Sequence, residues 1–410
     1  LLTKVFKAFQ YRDFSIMWTG ACISSIGTWM QIMAQSWLVL QLSGSPFWLG
    51  MDSFLGSIPI VLFSLVGGVL ADRMSRQLIL VGSQVIQLTC AFSLAALFAA
   101  GVIYVGGPKG FAGVWPILTL SFLVGTAQSF GGPSYQALVP SLVKPEDLQN
   151  AIGLNSIQFN VARVIGPTLG GLALTKLGAA WCFSLNGLSF IAAIISLLII
   201  RPQFVPAKTA ESVLTSMRQG FSFIRKQAAM EGLIVLAFAM TLLAFPLIVF
   251  VPVFARDVFH GGPDLYTVFL VCSGCGSITG ALVCAGLGKY RRQGRSALLM
   301  LMVLGALITG FALSRWLVLS CILIFLAGGI LLAAFVTISS LVQMITSDQM
   351  RGRVMSVYNV AFRGGMPFGS LIVGALVKQF TAPVVIAWNG VLLALLGLYF
   401  LLVQRKVANL

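Results

Sequence analysis

Apolar runs of ~20 residues or more recur along almost the whole chain, each long enough for a helix to cross the hydrocarbon core of a bilayer. Twelve are legible, at roughly 14–41, 47–71, 78–104, 115–138, 149–175, 180–200, 231–255, 265–287, 296–313, 316–345, 354–377 and 382–403. They are continuous rather than alternating, which predicts helices instead of barrel strands. Soluble domains are near half apolar and about a quarter charged. Here 58% of the 410 residues are apolar and 9% are charged. The expectation is an all-α integral membrane protein with twelve transmembrane helices.

A net charge of +16 invites a nucleic-acid partner, but its distribution argues against one. With the N-terminus placed in the cytoplasm, 19 basic residues between Lys4 and Lys406 fall on the inner side. Five (Lys109, Lys176, Arg256, Arg315 and Lys378) fall outside, and Arg163 and Arg363 remain in the membrane. That asymmetry follows the positive-inside rule with both termini cytoplasmic, as in a multi-pass protein of a bacterial-type inner membrane. Trp48, Trp115, Trp181, Trp316 and Trp388 stand near the outer starts of even-numbered spans, where an interfacial aromatic belt belongs. No cleavable leader is legible, so the first span is expected to be retained. The seven cysteines all lie in apolar runs. CSGC at 272–275 has redox or zinc spacing but no histidine or second pair beside it, so small packing residues are expected there.

The longest polar interruption, 201–230, divides the spans six and six. This predicts an N-terminal six-helix bundle over 1–200, a cytoplasmic linker over 201–230 and a C-terminal six-helix bundle over 231–410. Within the linker, Val213, Leu214, Met217, Phe221 and Ile224 recur at helical spacing opposite Arg218, Arg225 and Lys226. That is the pattern of a short helix lying on the inner membrane surface. The halves also repeat. FLVG at 122–125 returns as FLAG at 325–328, and Arg163-x-x-x-Pro167 returns as Arg363-x-x-x-Pro367. Offsets of 203 and 200 hold the register to within a few residues across two spans. Parallel repeats of this kind predict a substrate site near the midplane between the halves.

GGVLADRMSRQ at 67–77 places Gly68, Asp72, Arg73 and Arg76 in the pattern G-x-x-x-D-R-x-G-R-R, with Ser75 and Gln77 at two of its later positions. It resembles motif A of the major facilitator superfamily, and RRQGR at 291–295 resembles a worn second copy. The resemblance implies that superfamily's fold, two pseudo-symmetric six-helix bundles. It also implies a gating latch in which Asp72 faces the positive N-terminus of span eleven; a solvated turn is the plainer reading. From Gly153 the chain reads G-x8-A-x3-G-P-x2-G-G, with Ala162, Gly166, Pro167, Gly170 and Gly171. This looks like motif C, which is associated with exporters. Gly166 and Gly170 let another helix approach closely, and Pro167 frees the carbonyl of residue 163. Stretches at 27–50, 140–156 and 350–356 resemble the drug-and-siderophore efflux branch, that of siderophore exporters and macrolide efflux proteins. The resemblance spans essentially the whole chain.

A mid-membrane arginine costs about 2.5–3.5 kcal/mol on insertion scales, so Arg163 and Arg363 need protein or a wet cavity around them. Each lies ~16–20 Å from the inner end of its span at 1.5 Å per residue. Two readings stay open for both. Either they satisfy carbonyls loosened by the nearby proline or pair across the bundle, or they line a cavity that attracts an anionic or acceptor-rich substrate. For Arg363, with Asn359 one turn away, lining is favoured. Ser24, Thr28, Gln31 and Gln35 form a polar stripe on span one, flanked by Trp29 and Met30. Ser121, Gln128 and Tyr135 on span four and Thr337, Ser340 and Gln343 on span ten form others. Such a face looks toward water, substrate or a neighbouring helix. Of ten acidic residues only Asp52 could be membrane-inserted, as either a proton-coupling group or an exposed interfacial carboxylate. Ser121 stands where motif B carries its arginine, and His260 lies in an outer loop. Proton antiport is implied by the resemblance alone.

The function expected is alternating-access export of an amphiphilic organic small molecule, drug- or siderophore-like and neutral or anionic. A cationic-drug pump calls for a cavity carboxylate, and none is evident. A lysophospholipid or lipid flippase of the same fold is the alternative. A membrane-embedded enzyme or receptor is remote, because one loop histidine and almost no buried acids leave no nucleophile–base pair and no metal set. No G-x-x-x-x-G-K-[ST] loop offers ATP hydrolysis, and no cofactor is expected. The partners expected are the substrate and membrane lipids, with the chain a monomer.

Overall fold

A computed structural model describes residues 6–201, 213–287 and 293–410, without the side chains at 72, 213, 214, 216, 285 and 287. Among the described residues there are thirteen α-helices and no strand. Six precede the linker: α1 (Arg12–Ser43), α2 (Pro46–Arg73), α3 (Arg76–Ala99), α4 (Phe111–Leu138), α5 (Leu148–Lys176) and α6 (Ala179–Ile199). Then come α7 (Val213–Arg225), α8 (Ala228–Val253), α9 (Pro263–Leu287), α10 (Gln293–Leu313), α11 (Leu317–Ile345), α12 (Arg351–Leu376) and α13 (Ala382–Leu402).

Nine of these, among the described residues, are both long and apolar enough to cross a membrane, where the sequence suggested twelve spans. The long helices that fall short are α1, α5 and α12, of 32, 29 and 26 residues. Their length suffices, but they carry the polar stripe and both intramembrane arginines. The helix boundaries follow local chemistry. α1 stops at Gly44, whose left-handed φ of 68° lets its N–H cap the Leu40 carbonyl at 3.1 Å. Pro46 and Pro263 open α2 and α9, where a missing N–H costs nothing. Prolines stand inside α2, α4, α5, α8 and α12, where each removes one N–H from the helix ladder.

Two compact units form, residues 1–44 with 55–209 and residues 45–54 with 210–410. The first turns of α2 therefore group with the second unit. Small residues explain this. A Cβ on Gly50 would stand 3.1 Å from the Gly374 Cα, Ser53 and Ser370 hydroxyls are 3.1 Å apart, and the Lys378 ammonium lies 4.0 Å from the Phe47 ring centre.

Within the first unit α1 packs on α5 and α6, and α3 packs on α4 and α6. Within the second, α8 packs on α12 and α13, and α10 on α11 and α13, the same pairing seven helices later. The repeat holds at residue level. A Cβ on Gly166 of α5 would stand 2.8 Å from the Ile26 carbonyl, and one on Gly170 would stand 2.9 Å from that of Met30. On α12, Gly365 faces the Phe238 carbonyl at 2.5 Å, and Gly369 lies 3.1 Å from the Leu242 Cα by the same measure. α5 and α12 thus press two-glycine faces onto α1 and α8 respectively.

Trp115, Trp181, Trp316 and Trp388 are each more than half exposed, as a belt at a lipid interface requires. α7 docks on the start of α12, where a Cβ on Gly220 would meet the Arg353 carbonyl at 2.6 Å. Ile224 is buried while Phe221 is exposed beneath the Arg225 guanidinium, 5.3 Å from the ring centre. The apolar face read through Val213 and Leu214 lies outside the described residues at those two side chains.

Candidate substrate-binding faces

The polar stripe of α1 is drawn into bonds with neighbouring helices. Ser24 is buried, and Thr28 donates back to its carbonyl at 2.9 Å. Gln31 accepts from Asn186 of α6 at 2.6 Å, and Gln35 donates to the Ser121 hydroxyl of α4 at 2.9 Å. Gln158 of α5 donates to Ser25 at 2.8 Å, while the Tyr135 hydroxyl lies 3.1 Å from Asn155 and 3.3 Å from Gln158 amide oxygens. A second chain runs from Gln128 to Gln87 at 3.2 Å and from Gln87 to the Ser83 hydroxyl at 3.2 Å. The stripe is therefore interhelical glue, yet Gln31, Gln35, Gln128 and Tyr135 remain half-buried. Ser25, Ser83, Gln87, Asn155, Gln158 and Asn186 escaped the sequence reading. Their signal was the amide or hydroxyl inside an apolar run, but no single-helix stripe contains them.

Arg163 sits with its guanidinium carbon 5.8 Å from the Trp29 ring centre, and Trp29 meets Phe159 edge-on at 5.8 Å. A cation over an indole face is an attraction of about 0.5–2 kcal/mol, strongest when desolvated. Trp29, which flanks the stripe, is thus covered on that face by Arg163.

The second unit differs. Arg363 is exposed, and so is Asn359 one turn before it; neither makes a hydrogen bond or ion pair with any described residue. Phe362, beside Arg363 in the chain, packs against Phe335 at 4.6 Å and is stacked with Tyr358 at 6.1 Å between ring centres. Gln343 of α11 is exposed and donates to Ser339 at 3.3 Å. Thr337 departs from the lining expected of it: it is buried, and its hydroxyl donates to the Ala333 carbonyl of its own helix at 2.8 Å.

Two motif glycines are not the tight ones. Gly68 and Gly153 face open space, whereas a Cβ on Gly67 would stand 3.1 Å from the Phe130 Cα. Ala162, Pro167, Gly170 and Gly171 are buried as a packing motif requires. Arg73 is exposed, and Arg76 ties helix ends together by donating to the Ala71 and Ala137 carbonyls at 3.2 and 2.9 Å. The Asp72 side chain lies outside the described residues, as do Arg291 and Arg292. Asp52 is only 9% exposed, so it is not the exposed interfacial carboxylate that was one of its two readings. Among the described residues no three His, Cys, Asp or Glu gather as a metal site.

A family model described as transmembrane secretion effector matches residues 3–409. The chain is 25% identical over 406 residues to the enterobactin exporter of Shigella boydii serotype 4, covering 96% of this chain and 90% of the relative. It is 24% identical over 387 residues to the staphyloferrin A transporter of Staphylococcus aureus, covering 93% and 94%. With macrolide efflux protein A of Streptococcus pyogenes it shares 23% identity over 283 residues, 68% of each chain. Among solved structures, a bacterial homologue of the human lysosomal transporter Spinster, inward-facing and unoccupied, matches with a TM-score of 0.71 at 14% identity, covering 97% of both chains. A POT family transporter bound to a thioalcohol-conjugated peptide matches with a TM-score of 0.74 at 10% identity, covering 97% of this chain and 96% of that one.

Proposed function

We propose an export function for this chain, which belongs to the transmembrane secretion effector family of the major facilitator superfamily. It is a transporter and not an enzyme. The cargo we assign is an amphiphilic organic molecule, drug- or siderophore-like, carrying anionic or neutral acceptor groups. One observation carries the assignment: Arg363 and Asn359 stand exposed on one face of α12, without a partner among the described residues. A guanidinium at membrane depth is costly unless water or a ligand meets it, and its planar fork matches a carboxylate. Phe362 and Phe335 beside it offer apolar surface to the rest of an amphiphile.

Alternating access supplies the cycle, and Asp52 is the group that exchanges a proton with it. It is buried in the stretch of α2 that packs on α12, where a change of packing between states would change the cost of its charge. Asp72 serves as the latch at the other end of α2, in an inner membrane with both termini cytoplasmic. The lipid alternative gains no support from relatives named for siderophore and macrolide transport.

Counterflow in proteoliposomes tests the reading, with acidic siderophores, macrolides and fluorescent lysolipids offered with and without a pH gradient. Exchange of an acidic or neutral organic cargo is expected, with its net movement driven by the gradient. Movement of the lysolipid alone would overturn it.

A further inference from the structure

The CSGC at 272–275 offers a thiol whose mate lies on another helix. α9 and α11 run side by side along glycine rungs. A Cβ on Gly276 would stand 3.0 Å from the Phe325 Cα, and one on Gly280 would stand 2.7 Å from the Gly329 Cα. Partners on both rungs are 49 positions apart, and one turn earlier the same offset joins Cys272 to Cys321. The two thiols lie within interaction reach of each other, and both residues are half-buried. Helices ordinarily pack with axes 8–10 Å apart, whereas backbones meeting across glycine come closer, which brings Cα atoms toward the ~4.4–6.8 Å span a disulfide bridges.

We infer that Cys272 and Cys321 are a disulfide-forming pair that staples α9 to α11 and encloses α10. Cys321 lies four residues after Leu317, ~6 Å into α11, just behind the exposed Trp316. The positive-inside reading puts that end outside, where conditions favour disulfides. With diamide as oxidant, one thiolate adds to the azo nitrogen and the second displaces it at sulfur. Two S–H bonds break, one S–S bond forms, and the N=N bond takes up two electrons and two protons to become a hydrazine. Closing this loop ties three helices covalently and restricts the unfolded chain, so the oxidised protein is the more heat-resistant form.

The purified full chain is treated with diamide, alkylated, digested and weighed. The expected result is a peptide pair joining Cys272 to Cys321, two hydrogens lighter than the reduced pair, with two of the seven thiols lost to alkylation and a raised thermal midpoint. Cys272→Ser and Cys321→Ser should each abolish both changes, and dithiothreitol should reverse them in the native chain. The pair is overturned if all thiols stay alkylable, or if Cys272 links instead to Cys275. The staple is overturned if the link forms and the midpoint does not rise.

Discussion

Arg163 and Arg363 occupy matched places in the repeat, yet one lies over an indole and the other stands exposed. Trp29→Leu should therefore lower stability by about 0.5–2 kcal/mol, read as a reduced thermal midpoint, and Trp29→Phe should recover part of it. A second residue-scale device lies before α1. Asp147 is 3% exposed and accepts from Lys7 at 2.8 Å, Tyr11 at 2.9 Å and Gln10 at 3.1 Å. The Lys7 ammonium above all, and then the Tyr11 hydroxyl, hold its carboxyl below the usual carboxylate range, and the same contact raises Lys7. A depressed carboxylate contributes stability above its unfolded pKa and loses it as pH falls through the folded value. The raised lysine contributes below its unfolded pKa and loses it only as pH rises through its own folded value. Thermal midpoints of the native chain should thus fall on acidification below the carboxylate range, and Asp147→Asn should flatten that slope. An unchanged slope in the variant would remove the clamp.

At the scale of the helix, the glycines sort by what they touch. Gly166→Val and Gly365→Val push a branched side chain into the backbone of α1 or α8 and should each cost about 1–3 kcal/mol or more, the range for overpacking. Gly153→Ala, facing open space, should change the midpoint little; comparable losses in all three would contradict the packing account. Much of this was legible. Arg-x-x-x-Pro on two spans disclosed the repeat because a proline and a charge in lipid are each rare. The FLVG and FLAG copies end on Gly125 and Gly328, which lie against the backbones of Gly56 and Ser273. What stayed hidden was chemistry shared between helices. Asn186, Gln158 and Gln87 lie on no stripe of their own and meet their partners only after packing. Asp52 misled for the same reason, since depth along one helix says nothing about the neighbour that covers it. On α2 the glycine in close contact is Gly67, the neighbour of the motif's Gly68.

In the whole molecule, the cation exposed on α12 sets which cargo is carried. Asp52→Asn should leave substrate exchange intact and abolish the net transport driven by a pH gradient, because only net transport needs the proton. Gradient-driven rates equal to those of the native chain would place coupling elsewhere. The most direct test of the central claim is counterflow of acidic and neutral cargoes by Arg363→Ala in proteoliposomes. The account predicts a loss of tenfold or more for the acidic cargo, about 1.4 kcal/mol or more, with the neutral one little changed, since a charge-assisted bond is worth about 1.5–3 kcal/mol. Equal losses for both, or none for either, would contradict it.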